Sequence, residues 1–224
     1  MRLNYFCIGL VTFFLALEFP LYSDDNPSET VEKANPRIPL YQQSRPLWGF
    51  EMAGSLKALG GSPVIPNLGD AKVSAASLQL ELQPKFLQRL GVFGLGPSFE
   101  VNPVNPFDGI TSTAMGGLWS IGGQIRYQAR FFLEQPIVPV VGYCAQYWNY
   151  RLADGTAGRF WAKGPVLGAM ILLNFLDTDA AAEFFVDFGV SRTYLVAELR
   201  NIAGNDSVIS FSGSSLFGGL RFEF

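Results

Sequence analysis

Glu51, Glu81, Glu100, Arg126, Arg130, Glu183, Asp187 and Arg221 share one feature: each stands next to an apolar residue in a run that alternates apolar with polar. Lys57, Lys85 and Glu223 follow the same rule, and Gln79, Gln83, Gln124, Gln128 and Gln146 add amides to it. Opposite charges brought onto one inward face either pair into a salt-bridge plug or line a narrow polar path in which Arg126 and Arg130 select anions. Other chemistry is poorly supported. The chain contains no histidine, which removes Ser-His-Asp triads and His-ligated zinc or haem. Asp24/Asp25 and Asp177/Asp179 are adjacent carboxylates, but Asp177 and Asp179 fall in a short turn-like stretch where Asp serves the backbone. Cys144, with no imidazole to activate it, reads as a small core filler. Gly91, Gly94 and Gly96 alternate with Phe93 and Leu95 and precede no helix, so they do not form a phosphate loop. The chain is therefore read as non-enzymatic, with no catalytic, cofactor-binding or metal site and no cofactor.

Composition says what kind of solvent these charges must be hidden from. Only 16% of the 224 residues are charged while 49% are hydrophobic and 14% aromatic; soluble domains carry about 25% charge. That balance excludes a disordered chain, and a net charge of −3 argues against a nucleic-acid partner. Met1-Arg2, the apolar run Leu3 to Leu17 and the acidic Asp24-Asp25 have the layout of a secretory signal peptide over residues 1–23, cleaved after Ser23. Cleavage removes Cys7 and leaves Cys144 alone, so an exported chain has no intramolecular disulfide. Residues 24–45, polar and holding Pro27, Pro36 and Pro39, read as a periplasmic extension or linker.

From residue 46 onward the period is two, and no later run reaches the 18 or so apolar residues of a membrane-spanning helix. Leu78, Leu80 and Leu82 oppose Gln79, Glu81 and Gln83; Trp119, Ile121, Ile125 and Tyr127 oppose Ser120, Gln124, Arg126 and Gln128. Phe184, Val186, Phe188 and Val190 oppose Glu183, Asp187 and Ser191 in the same way. The pattern predicts strands over roughly 46–58, 72–86, 90–101, 116–132, 137–150, 163–175, 182–200 and 207–224. Several match the ~9–11 residues of a tilted transmembrane strand. Short turns are expected at Leu87–Arg89, Leu133–Pro136 and Leu176–Ala181. Longer loops are expected at Leu59–Ala71, Asn102–Met115, Arg151–Ala162 and Asn201–Asp206. Short turns at one end and long loops at the other is the asymmetry of outer-membrane barrels. Trp48, Phe86, Phe93, Phe131, Phe175, Phe184 and Phe224 would gather at the short-turn end as an aromatic girdle.

The segment Phe217-Gly218-Gly219-Leu220-Arg221-Phe222-Glu223-Phe224 resembles the terminal-strand assembly signal of bacterial outer-membrane barrels, carried here by Gly219, Phe222 and Phe224. Phe217 departs from that pattern, which prefers a polar residue there. Pro136 to Tyr143 resembles the start of the fifth strand of small eight-stranded barrels. Residues 46–224 thus resemble the small outer-membrane barrel superfamily that includes the OmpA and OmpW types, without a peptidoglycan-binding domain. The resemblance implies an all-β, eight-stranded antiparallel transmembrane up-and-down β-barrel in the outer membrane of a Gram-negative bacterium. It also implies a monomer whose partners are outer-membrane lipid, lipopolysaccharide and the barrel-assembly machinery. Three functions are compatible. The first is a structural or surface-interaction role through extracellular loops, among which Arg151, Asp154, Arg159, Trp161 and Lys163 are the most interaction-like. The second is a porin-like channel for small solutes, or an OmpW-type route for hydrophobic molecules. The third is a soluble secreted ligand-binding barrel, which would point its apolar residues inward.

Overall fold

The computed structural model describes residues 45–58, 72–88, 91–102, 115–132, 134–152, 155–206 and 210–224. The expected signal peptide, nearly all of the 24–45 extension and the loops at 59–71 and 103–114 lie outside the described residues.

Eight strands run in chain order: β1 (Trp48–Ala58), β2 (Lys72–Leu82), β3 (Val92–Asn102), β4 (Met115–Gln128), β5 (Ile137–Leu152), β6 (Ala157–Leu172), β7 (Arg192–Asn205) and β8 (Ser210–Glu223). Each pairs antiparallel with its sequence neighbour, and β1 pairs with β8, so the sheet closes into an up-and-down all-β barrel. The closing ladder runs from Gly49 opposite Glu223 to Lys57 opposite Ser215. It is extended at the end of the chain, where Phe224 N–H donates to Trp48 O at 2.9 Å and Leu47 N–H donates to Phe224 O at 2.8 Å.

The alternation sets polarity in the opposite sense to a water-soluble barrel. Arg126, Glu81 and Arg221 are fully buried inside (0% exposed), while Ile125 is 66%, Leu216 63% and Leu167 55% exposed outside. This arrangement is the reverse of the soluble ligand-binding reading, whose interior would be apolar. One part of the lumen is apolar: Val138, Val140, Met170, Leu172, Tyr194 and Val196 form a buried cluster on β5, β6 and β7. An eight-stranded barrel is just wide enough for such side chains to fill it.

The structure corrects the expected seventh strand. Residues 178–188 are not strand but helix α1 (Thr178–Phe188), and β7 begins only at Arg192. Asp177 caps the helix by accepting from Ala180 N–H at 2.9 Å, and Asp179 sits favourably in its first turn. Gly189 closes it with φ of 71°, the left-handed conformation that glycine adopts without strain. Asp177 and Asp179 are thus helix-terminus residues, not turn residues. Phe184 packs on the barrel wall at 6.1 Å from the Phe222 ring and 5.1 Å from Phe188. The other differences concern the connections. The supposed long loop Arg151–Ala162 is mostly strand, since β5 and β6 are separated only by residues 153–156. Asn201–Asn205 likewise belong to β7, and the connection between β6 and β7 is the longest at the short-turn end. Lys85 is not inward: it lies in a 3-10 turn (Lys85–Leu87) and is exposed.

Closure needs backbones to come close. A Cβ on Gly219 would lie 2.0 Å from the Met52 carbonyl oxygen across the β1–β8 seam, whereas one on Gly218 would meet nothing nearer than 4.0 Å. Gly219→Ala is therefore expected to destabilise the closed barrel by about 1–3 kcal/mol, with Gly218→Ala close to wild type. Denaturant titration of the detergent-folded variants, followed by the fraction that keeps heat-dependent gel mobility, measures both.

Candidate functional site

The inward face carries five carboxylates (Glu51, Glu81, Glu100, Glu198, Glu223) and five guanidiniums (Arg126, Arg130, Arg192, Arg200, Arg221) among its buried described residues. Most meet across the lumen. Arg126 on β4 reaches Glu198 on β7 at 2.6 Å, Glu51 on β1 at 2.7 Å and Glu81 on β2 at 3.5 Å. Arg221 on β8 bonds Glu81 at 2.6 Å and Glu223 at 3.3 Å, and lies 3.6 Å from Glu51. Arg130, just past β4, donates to Glu223 at 2.5 Å and to the Tyr194 hydroxyl at 2.9 Å. Arg200 pairs with Glu198 at 2.9 Å and rests 3.9 Å above the Phe217 ring. That cation–π contact gives a physical reason for an aromatic where the terminal-strand pattern prefers a polar residue.

Amides fill the gaps. Gln128 Nε2 donates to Glu81 at 2.8 Å, and Gln83 Nε2 donates to Glu223 at 3.0 Å and Glu81 at 3.2 Å. Gln79 Oε1 accepts from Arg126 at 3.2 Å, and Gln146 Nε2 donates to Glu100 at 3.4 Å. Among the described residues, every buried base is arginine. Its planar fork serves two or three carboxylates at once, which a lysine ammonium cannot do with the same geometry.

Of the residues expected in the lumen, Glu51, Glu81, Arg126, Arg130 and Arg221 come together in this network, and Glu100 is buried beside Gln146. Glu183 and Asp187 do not. They lie exposed on α1 with Asp179, at a spacing of four that makes one helix stripe. The pair that takes their place, Glu198 and Arg200, comes from β7 and is absent from the expected lumen set. Their signal was present, because Tyr194, Val196, Glu198 and Arg200 alternate with Leu195, Ala197 and Leu199. Cys144 is buried, its Sγ 3.5 Å from the Gly164 carbonyl.

The outer wall carries aromatics near both ends, at the loop end on β3 to β6. Trp48, Phe86, Phe93, Phe131, Phe175 and Phe224 lie at or just beyond strand ends on the α1 side, with Phe184 contributed by the helix instead of a strand. At the other end, Phe99 contacts Trp119 (6.4 Å) and Tyr147 contacts Trp161 (5.2 Å between centroids).

At the α1 end, Glu134 accepts from Arg192 Nε at 3.3 Å. Partial burial raises its carboxyl above the ordinary range, and Arg192 offsets only part of that effect. A folded-state pKa above the unfolded value means the native state holds the proton longer. Stability therefore falls as pH rises from the unfolded pKa of about 4.3 through the folded one. Glu134→Gln should remove that component, so the stability difference between wild type and variant changes across this window and is flat above it. Unfolding titrations at a series of pH values detect it.

Arg126 touches three carboxylates, so Arg126→Leu removes the cation they share: Glu81 and Glu198 keep Arg221 and Arg200, but Glu51 is left with no base nearer than 3.6 Å. Stability is expected to fall by about 3–5 kcal/mol, and Arg126→Lys to restore only part of it, as read by denaturant unfolding in detergent.

No protein-family model matches the chain. No curated protein matches it either. Among solved structures it is similar to the crystal structure of Neisserial surface protein A (NspA). The TM-score is 0.49 at 15% identity, covering 79% of this chain and 96% of that one.

Proposed function

We propose that the chain is a non-enzymatic outer-membrane barrel of a Gram-negative bacterium, exported by its N-terminal signal, that serves a structural or surface-interaction role through its extracellular loops. One observation carries this reading: the sheet turns a largely apolar, aromatic-rich wall outward and buries five carboxylates and five guanidiniums inside. In water such a wall is unfavourable by about 25 cal/mol per Å² of apolar surface left exposed. In a bilayer it is the required arrangement, because lipid satisfies neither charges nor open backbone ladders. The α1 end, with the C-terminal Phe224, then faces the periplasm and the β5–β6 hairpin faces outward, following the usual disposition of such barrels. The barrel-assembly machinery and outer-membrane lipid are its partners, and it functions as a monomer.

The lumen favours a closed barrel over a porin-like or OmpW-type channel. Arg126 bonds carboxylates on three different strands, which strings the network across the interior instead of lining a path along it.

The four tryptophans test the polarity directly. Trp119 is 43% and Trp161 63% exposed on the wall, while Trp148 is fully buried in the lumen. In vesicles of acyl-brominated phosphatidylcholine, single-tryptophan variants retaining Trp119 or Trp161 should be quenched and the one retaining Trp148 should not. Quenching of Trp148 alone, or failure to insert, would overturn the membrane reading. In planar bilayers the wild type is expected to show no reproducible open level; a stable one abolished by substituting Arg126 and Arg130 would establish the channel instead.

A further inference from the structure

The outer wall is not uniformly uncharged. Among the described residues, the outward register of β1, β3, β4, β7 and β8 holds no charged residue and that of β2 holds one, Lys72 at its first position, whereas β5 and β6 together hold three, all cationic: Arg151, Arg159 and Lys163. All three are exposed. The antiparallel register groups them. Arg151 stands opposite Ala157, Asn149 opposite Arg159, Tyr147 opposite Trp161 and Ala145 opposite Lys163. Arg151 and Arg159 are thus diagonal neighbours, about 7–8 Å apart at the backbone. Trp161, seated against Tyr147, lies between Arg159 and Lys163 on the same face. None of the three cations pairs with a carboxylate among the described residues, although every guanidinium that this chain buries in its lumen lies close to carboxylates.

Height matters as much as grouping. Along β6 the outward residues below Lys163 are Pro165, Leu167, Ala169 and Ile171, all uncharged and apolar, and the outward residue above it is Trp161. The cations therefore flank the Tyr147–Trp161 pair near the loop end, the level at which a bilayer places its interfacial aromatics and headgroups. Cations concentrated on one hairpin at that level answer localised negative charge, not the diffuse field of a whole leaflet, which would be met equally by cations on every strand. Two guanidinium forks and an ammonium beside an indole match the oxygens of a phosphate group.

We propose that the exposed face of the β5–β6 hairpin is a binding site for the phosphate groups of a lipid headgroup in the outer leaflet, held by Arg151, Arg159 and Lys163, with Trp161 packing against the adjoining sugar or acyl stem. The site rests on the membrane reading and gives it a specific lipid partner of the phosphorylated glycolipid class. It also makes the hairpin, not the longer loops, the point at which the barrel grips its leaflet.

The probe is diphosphoryl lipid A, present as a minor component of phosphatidylcholine vesicles. Wild type and the Arg151→Gln/Arg159→Gln/Lys163→Gln variant are reconstituted, floated on a density gradient, extracted in mild detergent and assayed for retained lipid by native mass spectrometry. The three side chains reach no lumen partner, so the variant is expected to keep its heat-dependent mobility and to float. Retention by the wild type should exceed that of the variant by about a hundredfold. Inorganic phosphate at millimolar concentration should not displace the lipid. Equal retention by two floating proteins overturns the site while leaving the membrane reading intact. Displacement by inorganic phosphate overturns the assignment to lipid. A wild type that does not float overturns the membrane reading itself.

Discussion

A sheet in a medium without water must leave no edge. Everything else in this molecule follows from the seam between β1 and β8, where Phe224 and Trp48 complete the last rung of the ladder. Closing eight strands fixes the diameter, and that diameter leaves room for side chains but not for bulk water between them. Charges placed inside must then find partners inside. The interior satisfies this by balancing buried carboxylates with an equal number of guanidiniums and by bridging the remainder with glutamines. Glycines at the points of closest approach, Gly219 above all, allow the seam to form without displacing the opposite backbone.

Such a network contributes less to stability than its bond count suggests, because desolvating each ion offsets most of what pairing returns. Its more important effect is on register. Sliding β4 by one residue against β3 would turn Arg126 out of the lumen and bring Ile125 in among carboxylates. The apolar cluster of Val138, Val140, Met170 and Leu172 enforces the same alternation on the other side of the lumen without any charge. Polar and apolar halves of the interior thus specify one alignment by different means.

Much of this is legible in the sequence, and the exceptions have physical reasons. Glu51, Glu81, Arg126 and Arg221 are readable because each flanks an outward aliphatic or aromatic residue in a period of two. Helix α1 is not, because Phe184 and Phe188, like Glu183 and Asp187, are four apart, a spacing that fits both a strand face and a helix face. The distinguishing marks were the cap residues, Asp177 before Ala180 and Gly189 after Phe188, which carry more information than the apolar pattern between them. The upper part of β6 misleads for another reason. Around the Tyr147–Trp161 pair, Arg159 and Lys163 point outward while Phe160 is buried, so the polarity that marks the lower strand reverses.

The partners in the lumen are also far apart along the chain. Arg221 and Glu81 are separated by 140 residues, as are Gln83 and Glu223, and Arg130 and Glu223 by 93. A growing hairpin array made of β1 to β7 alone would hold Glu81 without Arg221, and Arg130 without Glu223. The pairs that Arg221 and Glu223 make therefore form only when the last strand arrives, at which point several ions gain partners together. Assembly of this kind has a late, concerted step with high loop-closure entropy. The ions that β8 shares with β2 and with the segment after β4 thus tie completion of the interior to closure of the sheet.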